Sequence, residues 1–295
     1  MLKNAVSFIK RRITKQERSQ YLNSFIEQCL LDASGNSRML AKGRIAEADA
    51  NMLISFPRSG NGWVRIVLGV YHAIASDKHF SLAELSQFKT YSLFDKTGIK
   101  TSVFGLKEEK EIPLDFYIPD LYQYDRLKRK RQEFLTPSIV DVTTLPIYKT
   151  HHLCPFGASY QSIGIIVREP EASVLSASLL MEPDLLSMSD AEIHEIVSYY
   201  LSAYIKYLDN YQQLYHAGKV NLIFHDTVVD DLTAWITKMY PASDKRDVKS
   251  TLSAIVTKFP LRSGFNKEIK SRVDLTLFAD YQKAVELFTT LQGEG

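Results

Sequence analysis

Residues 51–71 read Asn51-Met-Leu-Ile-Ser-Phe56, then Pro57-Arg-Ser-Gly-Asn-Gly62, then Trp63-Val-Arg-Ile-Val-Leu-Gly-Val-Tyr71. The first segment is a short apolar run that predicts a buried strand, the second has the residues of a turn, and the third predicts an apolar helix. A glycine-bearing loop between a strand and a helix directs backbone N–H groups and a helix N-terminus at one point. The stretch therefore predicts an anion-binding loop inside an α/β fold.

Further strand and helix patterns alternate along the chain. Strands are predicted at 145–149, 162–167 and 220–224, and helices at about 171 onward, 193–215 and 232–240. This alternation is typical of a central parallel sheet flanked by helices, with the ligand at the C-terminal ends of the strands. We expect a single α/β domain with a P-loop-like nucleotide-binding loop.

The pattern also predicts how the chain is divided. Residues 1–50 form an N-terminal helical region, and residues 51–295 form the α/β domain. Within that domain, residues 76–135 are less regular and are interpreted as an insertion over an acceptor cleft. Residues 1–18 place apolar residues at helical spacing beside Lys and Arg, so this segment can lie on an anionic membrane surface. A solvated basic helix is the alternative that base rates favour.

Composition excludes several classes of protein. Hydrophobic residues make up 45% of the chain, which is enough for a full core without disulfides or metals. The 36 Lys and Arg nearly balance the 34 Asp and Glu, so no overall field indicates a nucleic-acid partner. Cys29 and Cys154 lack the spacing of a disulfide framework or a zinc site, and no run predicts a membrane span or a signal peptide. We therefore expect a cytoplasmic protein.

Three later segments carry basic and hydroxyl side chains, the first two at or near predicted strand ends and the third in a late loop. They are Lys149-Thr-His151, Arg168-Glu-Pro-Glu-Ala-Ser-Val-Leu-Ser176 and Arg262-Ser-Gly264. With the first loop, and in this order, they resemble the sulfotransferases that depend on 3'-phosphoadenosine 5'-phosphosulfate (PAPS). In that family the loop reads like P-K-S-G-T-T-W, the middle strand ends in K-T-H, and a later segment reads R-N-P-x-D-x-x-x-S. The resemblance runs from about Asn51 to Asn266.

The resemblance implies PAPS as the donor, adenosine 3',5'-bisphosphate as its product, and no metal. The first loop would surround the 5'-phosphosulfate, and Arg168 and Ser176 would bind the 3'-phosphate. Trp63 would stack on adenine, and His225 would contact the edge of the adenine. For the dipeptide His225-Asp226, a helix N-cap by Asp226 with no role in ligand binding is the alternative. The implied donor-binding residues are Arg58, Ser59, Gly60, Asn61, Gly62, Trp63, Arg168, Ser176, His225, Arg262, Ser263 and Gly264.

The chain departs from the family's motifs at three places. Asn61-Gly62 stands where the family has two threonines, so backbone N–H groups or the Ser59 hydroxyl must bind the 5'-phosphate. Arg58 keeps the positive charge of the family's lysine, but a guanidinium does not give up a proton to a leaving oxygen. After Gly264, the segment 265–267 reads Phe-Asn-Lys in place of the family's G-D-W.

Sulfuryl transfer explains these residue types. Its loose, in-line transition state spreads charge over oxygens that cations and amide N–H groups stabilise. The acceptor must lose a proton, and His151 supplies a base at the end of a strand. Lys149 lies two residues earlier and shares its strand face, whereas His152 has the opposite face. The predicted catalytic residues are His151, Lys149 and Arg58.

The expected reaction is transfer of a sulfuryl group to an acceptor hydroxyl. The long separation of Arg58 from Lys149 favours a carbohydrate or glycolipid acceptor, with a small alcohol or phenol as the alternative. A nucleotide-dependent kinase would share the loop, but its G-x-x-x-x-G-K-S/T motif is absent. A non-catalytic nucleotide-binding or scaffold relative is the remaining alternative.

Overall fold

A computed structural model describes residues 51–75, 88–94, 100–106, 147–151, 153, 161–182, 184–241, 245–260 and 267–294. The predicted N-terminal region 1–50, with its basic segment 1–18, lies outside the described residues, as does most of the insertion 76–135. His152 and the late loop Arg262–Gly264 also lie outside them.

The strands form two sheets in the described ranges. They are β1 (Asn51–Ser55), β2 (Phe88–Phe94), β3 (Lys100–Leu106), β4 (Ile147–Thr150), β5 (Ser162–Val167) and β6 (Asn221–Phe224). The larger sheet has the order β4-β1-β5-β6, and all of its pairs are parallel. The smaller sheet is the antiparallel pair of β2 and β3.

The described ranges also contain helices. They are α1 (Asn61–Ala75), α2 (Pro170–Met181), α3 (Asp190–His216), α4 (Val228–Met239), α5 (Lys245–Lys258), α6 (Lys267–Arg272) and α7 (Tyr281–Glu294). Short 3-10 turns occur at Leu185–Ser187 and Leu275–Leu277. Within the ranges given above, no helix has the length and apolar character needed to cross a membrane.

Different helices cover the two faces of the parallel sheet. Met52 and Ile54 of β1 pack on one face with buried side chains of α2, α3, α6 and α7. Leu53 packs on the other face with α1, α4 and α5. Successive β1 residues therefore enter separate cores, and the strand is buried throughout, as expected for a central parallel strand. The predicted α/β fold with a parallel sheet flanked by helices is confirmed.

The strand predictions agree closely with the structure, and the helix starts differ for local reasons. The helix predicted at 193 begins at Asp190, because Ser189 and Glu192 form a capping box that adds a turn before the apolar residues. The helix predicted at 232 begins at Val228, after Thr227 as its N-cap residue. The alternative of an N-cap by Asp226 is therefore wrong.

The interpretation of residues 76–135 as irregular is wrong for two segments. Residues 88–94 and 100–106 pair as the antiparallel strands β2 and β3, in a register that places Tyr91 opposite Val103. Sequence alone did not predict them because neither segment has the continuous apolar run of the buried parallel strands. Strand β3 contacts α1, so this part of the insertion lies against the helix that follows the loop.

All four parallel strands end at the same edge of the sheet, so the residues that follow them are brought together. Phe56 follows β1, His151 follows β4, Arg168 follows β5 and His225 follows β6. Because ligands of parallel α/β sheets bind beyond the carboxyl ends of the strands, we expect the ligand-binding site at this edge.

The contact between Gly164 of β5 and Trp235 of α4 gives a stability prediction. A Cβ at Gly164 would lie 2.9 Å from three atoms of the Trp235 ring, which is fully buried and donates through Nε1 to Ser162 Oγ across 2.8 Å. The ring is thus held in place, and we expect Gly164→Ala to lower the free energy of unfolding by about 1–3 kcal/mol in urea titrations.

Gly293→Ala is the matched control, because a Cβ there would meet nothing within 4 Å. We expect its free energy of unfolding to stay within about 0.5 kcal/mol of the wild-type value. Equal stability of the Gly164→Ala variant and the wild type would contradict the packing described for β5 and α4.

Candidate functional site

The loop between β1 and α1 turns the chain tightly above the sheet edge. The Ser59 N–H donates to Phe56 O across 3.2 Å, which closes the turn. Gly60 O accepts from the N–H groups of Trp63 (3.0 Å) and Val64 (3.1 Å), which starts α1. The first N–H groups of a helix lack intrahelical partners, so the α1 N-terminus presents donors at this edge.

Arg58 adopts a backbone conformation that is rare for its residue type. Its φ angle is 68°, in the left-handed region that costs a residue with a Cβ about 1–2 kcal/mol. The side chain is exposed at the strand ends. Non-glycine residues held in this region are concentrated at binding sites, where the surrounding structure maintains them.

Gly60 is the position of the loop where only glycine fits. Its φ angle is 89°, and a Cβ would lie 2.4 Å from Nε2 of His225. The same Nε2 donates a hydrogen bond to Ser59 O across 2.8 Å. The ring of His225 therefore packs directly against the loop backbone, and the residue after β6 supports the loop after β1.

The segment after β5 also reaches the loop. Arg58 Nε donates to Ser176 Oγ across 3.2 Å, and Arg168 Nη1 donates to Arg58 O across 3.3 Å. These residues are 118 and 110 positions apart in the sequence. Arg58, Arg168 and Ser176, predicted separately as anion-binding residues, thus lie in contact.

The two guanidinium groups give this cluster its electrostatic character. Burial lowers the pKa of Arg168, Glu169 opposes that shift, and the neighbouring Arg58 lowers the pKa further. Arg168 Nε is buried without a hydrogen-bond partner, and neither guanidinium forms a salt bridge, as far as the described residues extend. Two adjacent cations with unused N–H donors favour a bound anion.

Ser59 supports the loop from inside. Its side chain is 0% exposed, and its Oγ lies 3.5 Å from Ser173 Oγ, which in turn donates to Arg168 O across 3.4 Å. The hydroxyl of Ser59 is thus directed into the protein rather than toward the exposed side of Arg58. Sequence reasoning did not select Ser173, although its position one helical turn before Ser176 places both on the same side of α2.

His151 is held beside β1. Its Nδ1 lies 2.8 Å from Ser55 O, and because a carbonyl can only accept, Nδ1 carries the proton and the neutral ring has its lone pair on Nε2. The side chain is half-buried. Lys149, two residues earlier, is 3% exposed and pairs in register with Leu53.

Trp63 connects α1 to the end of α5. Its Nε1 donates to Phe259 O across 2.5 Å, and the half-buried ring packs against the core that contains Leu53. Asn61 is half-buried and Gly62 exposed at the start of α1, and a Cβ at Gly62 would meet nothing within 4 Å. Gly62 therefore leaves open space at the helix N-terminus.

The described part of the chain has no group of three or more His, Cys, Asp or Glu side chains that could hold a metal ion. No family model matches the sequence, and a search of curated proteins finds no match to it. The geometry of the loop, the two arginines and the strand ends is therefore the basis for assigning a function.

The burial of His225 gives a pH prediction. Burial lowers the pKa of His225, partly opposed by its hydrogen bond to Ser59 O, so the unfolded chain takes up this proton at a higher pH than the folded chain. Between the two pKa values the unfolded state binds more protons, and stability rises with pH. We expect the free energy of unfolding to fall as pH drops from about 7 to about 5.

His225→Gln keeps a donor for Ser59 O and should reduce this slope in urea titrations across the same pH range. His194→Gln, at an exposed position of α3, is the control and should retain the slope. The same slope in His225→Gln as in the wild type would show that another group causes the pH dependence.

Proposed function

We propose that this chain is a PAPS-dependent sulfotransferase whose donor-binding loop, residues 57–62, is P-loop-like. The observation that carries the proposal is the contact of Arg58 with Arg168 and Ser176. This contact joins the loop 57–62, which is suited to bind one anionic group, to the segment that carries Arg168 and Ser176, which is suited to bind a second anionic group. PAPS has two such groups, the 5'-phosphosulfate and the 3'-phosphate.

The donor groups are divided between the two segments. Arg168 and Ser176 bind the 3'-phosphate, for which the planar guanidinium offers paired N–H donors. Arg58 and the first N–H groups of α1 bind the 5'-phosphosulfate. Hydrogen bonds to charged groups contribute about 1.5–3 kcal/mol each, so the 3'-phosphate alone separates PAPS from nucleotides that lack it.

Three further positions support this placement of the donor. Gly62 is exposed and has open space where a Cβ would be, so an anion can approach the backbone of α1 closely. The Ser59 hydroxyl lies toward Ser173, so backbone N–H groups replace the hydroxyls of the family's threonine pair. Trp63 contributes its ring to the adenine pocket while its N–H is bound to Phe259 O.

The chemistry is an in-line displacement at sulfur. An acceptor oxygen forms a bond to sulfur while the bond from sulfur to the 5'-phosphate oxygen breaks, and adenosine 3',5'-bisphosphate leaves. His151 takes the acceptor proton at Nε2, because its Nδ1 already donates to Ser55 O. Arg58 stabilises the charge that develops on the leaving phosphate, and Lys149 supplies a second cation from β4, the strand that His151 follows.

We propose a carbohydrate or glycolipid hydroxyl as the acceptor, with a small alcohol or phenol as the alternative. The insertion 76–135, part of which contacts α1, supplies the additional chain that a larger acceptor needs. The reaction is proposed to occur in the cytoplasm. The Lys and Arg residues in the sequence of residues 1–18 suit contact with an anionic membrane surface, where a glycolipid acceptor would lie.

Turnover with labelled PAPS and a panel of carbohydrate, glycolipid, alcohol and phenol acceptors tests the proposal. We expect a sulfated product without added metal. His151→Ala should lower kcat by about 10²–10⁴-fold, the usual contribution of a positioned general base, and leave the KM for PAPS nearly unchanged.

His152→Ala is the register control, because the sequence pattern predicts the opposite face for it, and it should keep wild-type turnover. If His152→Ala removes activity and His151→Ala does not, the assignment of the base is wrong by one residue. If the protein forms a phosphorylated product from ATP and magnesium and no sulfated product from PAPS, it is a kinase and the proposal is wrong. Binding of the bisphosphate without any turnover would favour a non-catalytic relative.

A further inference from the structure

Helix α3 contacts the backbone at two of the strand ends that carry the proposed functional residues. The hydroxyl of Tyr204 donates to Arg168 O, after β5, and the hydroxyl of Tyr207 donates to His151 O, after β4. Both rings are almost completely buried. The sequence predicts that this helix belongs to the core, which is confirmed, but packing alone does not require the two hydroxyls.

The two tyrosines lie closer together on α3 than the two strand ends that their hydroxyls reach. Residues three apart on a helix lie about 5–6 Å from each other and face the same side. The strands β4 and β5 flank β1, so their ends are about 9–10 Å apart. Long tyrosine side chains bridge this difference, and both rings contact Phe56, which follows β1.

Phe56 contacts both tyrosines edge-on. Its ring centroid lies 4.9 Å from that of Tyr204 at 63° and 5.1 Å from that of Tyr207 at 80°. Such edge-to-face contacts prefer a defined geometry. The rings of Tyr204 and Tyr207 therefore both pack against Phe56, and each hydroxyl is directed to a different carbonyl.

The two carbonyls belong to residues with separate tasks under the proposed function. Strand ends lack the next ladder partner, so a buried carbonyl there needs a donor from elsewhere. Burial raises the pKa of Tyr204, which keeps its hydroxyl protonated and able to donate. Each hydroxyl helps to fix the backbone at one residue, and hence the point from which the Arg168 guanidinium or the His151 ring extends. At Arg168 O the Ser173 hydroxyl is a second, longer donor, at 3.4 Å.

We propose that Tyr204 and Tyr207 are positioning residues, Tyr204 for the anion-binding Arg168 and Tyr207 for the base His151, through hydrogen bonds to their main-chain carbonyls. This inference extends the proposed function. It assigns a separate effect to each hydroxyl, one on donor binding and one on the chemical step. If the two hydroxyls only supported the packing of α3, removing either one would change donor binding and the chemical step in the same way.

Single Tyr→Phe variants test the assignment because they keep the rings and remove only the hydroxyls. Tyr204→Phe should weaken adenosine 3',5'-bisphosphate binding about tenfold and leave kcat nearly unchanged. Tyr207→Phe should lower kcat about tenfold or more and leave bisphosphate affinity unchanged. Tyr200→Phe is the matched control from the same helix: its buried hydroxyl has no hydrogen-bond partner among the described residues, so both quantities should stay at wild-type values.

A second measurement does not depend on turnover. In protein labelled with nitrogen-15 at histidine, Tyr207→Phe should shift the ring resonances of His151, whereas Tyr204→Phe should leave them in place. Equal changes of binding and kcat in the two variants, or loss of stability with neither quantity altered, would overturn the inference. If the wild type shows no turnover, the proposed function fails, while binding and the His151 resonances still decide the roles of the two tyrosines.

Discussion

The hydrogen bond from Arg168 Nη1 to Arg58 O brings two cationic side chains together although their segments are 110 positions apart. Like charges at short distance are unfavourable unless an anion lies between them or solvent screens them. The surrounding structure maintains the pair: Ser176 accepts from Arg58, and Tyr204 and Ser173 donate to Arg168 O. Arg58 has a strained backbone conformation, and Arg168 Nε is buried without a hydrogen-bond partner in the described part of the chain.

Parallel strands explain why the chemistry-bearing residues meet at all. The order β4-β1-β5-β6 places the residues after each strand along one edge, so His151, Arg168 and His225 converge on the loop that starts at Pro57. Each is fixed by a hydrogen bond to backbone from another segment: His151 by Ser55 O, His225 by Ser59 O and Arg168 by Arg58 O. The loop backbone is thus the common support, which makes its own conformation the main structural constraint on the site.

Local patterns in the sequence were sufficient to predict the buried strands and the turn that begins the site. Apolar runs at 51–56 and 162–167 predict buried strands, and Pro57 through Gly62 predicts the turn, because strand periodicity and turn chemistry depend on neighbouring residues. The inward direction of the Ser59 hydroxyl, the positive φ of Arg58 and the hydroxyl contacts of Tyr204 and Tyr207 were not predictable. They depend on contacts between distant segments, which no local pattern encodes, and the β2 and β3 pair was missed because its apolar and polar residues are mixed.

Calorimetric titration of two ligands into two variants tests the paired-anion site most directly. The dissociation constants of adenosine 3',5'-bisphosphate and adenosine 5'-monophosphate are measured without magnesium, for the wild type and for Arg168→Ala. Arg246→Ala serves as the charge control, since it lies about 20 Å along α5 from the Phe259 end that contacts Trp63. We expect Arg168→Ala to weaken the bisphosphate about tenfold or more and to leave the monophosphate nearly unchanged, so that the preference for a 3'-phosphate disappears. Equal weakening of both ligands, or an unchanged preference, would contradict the role of Arg168 as the 3'-phosphate ligand.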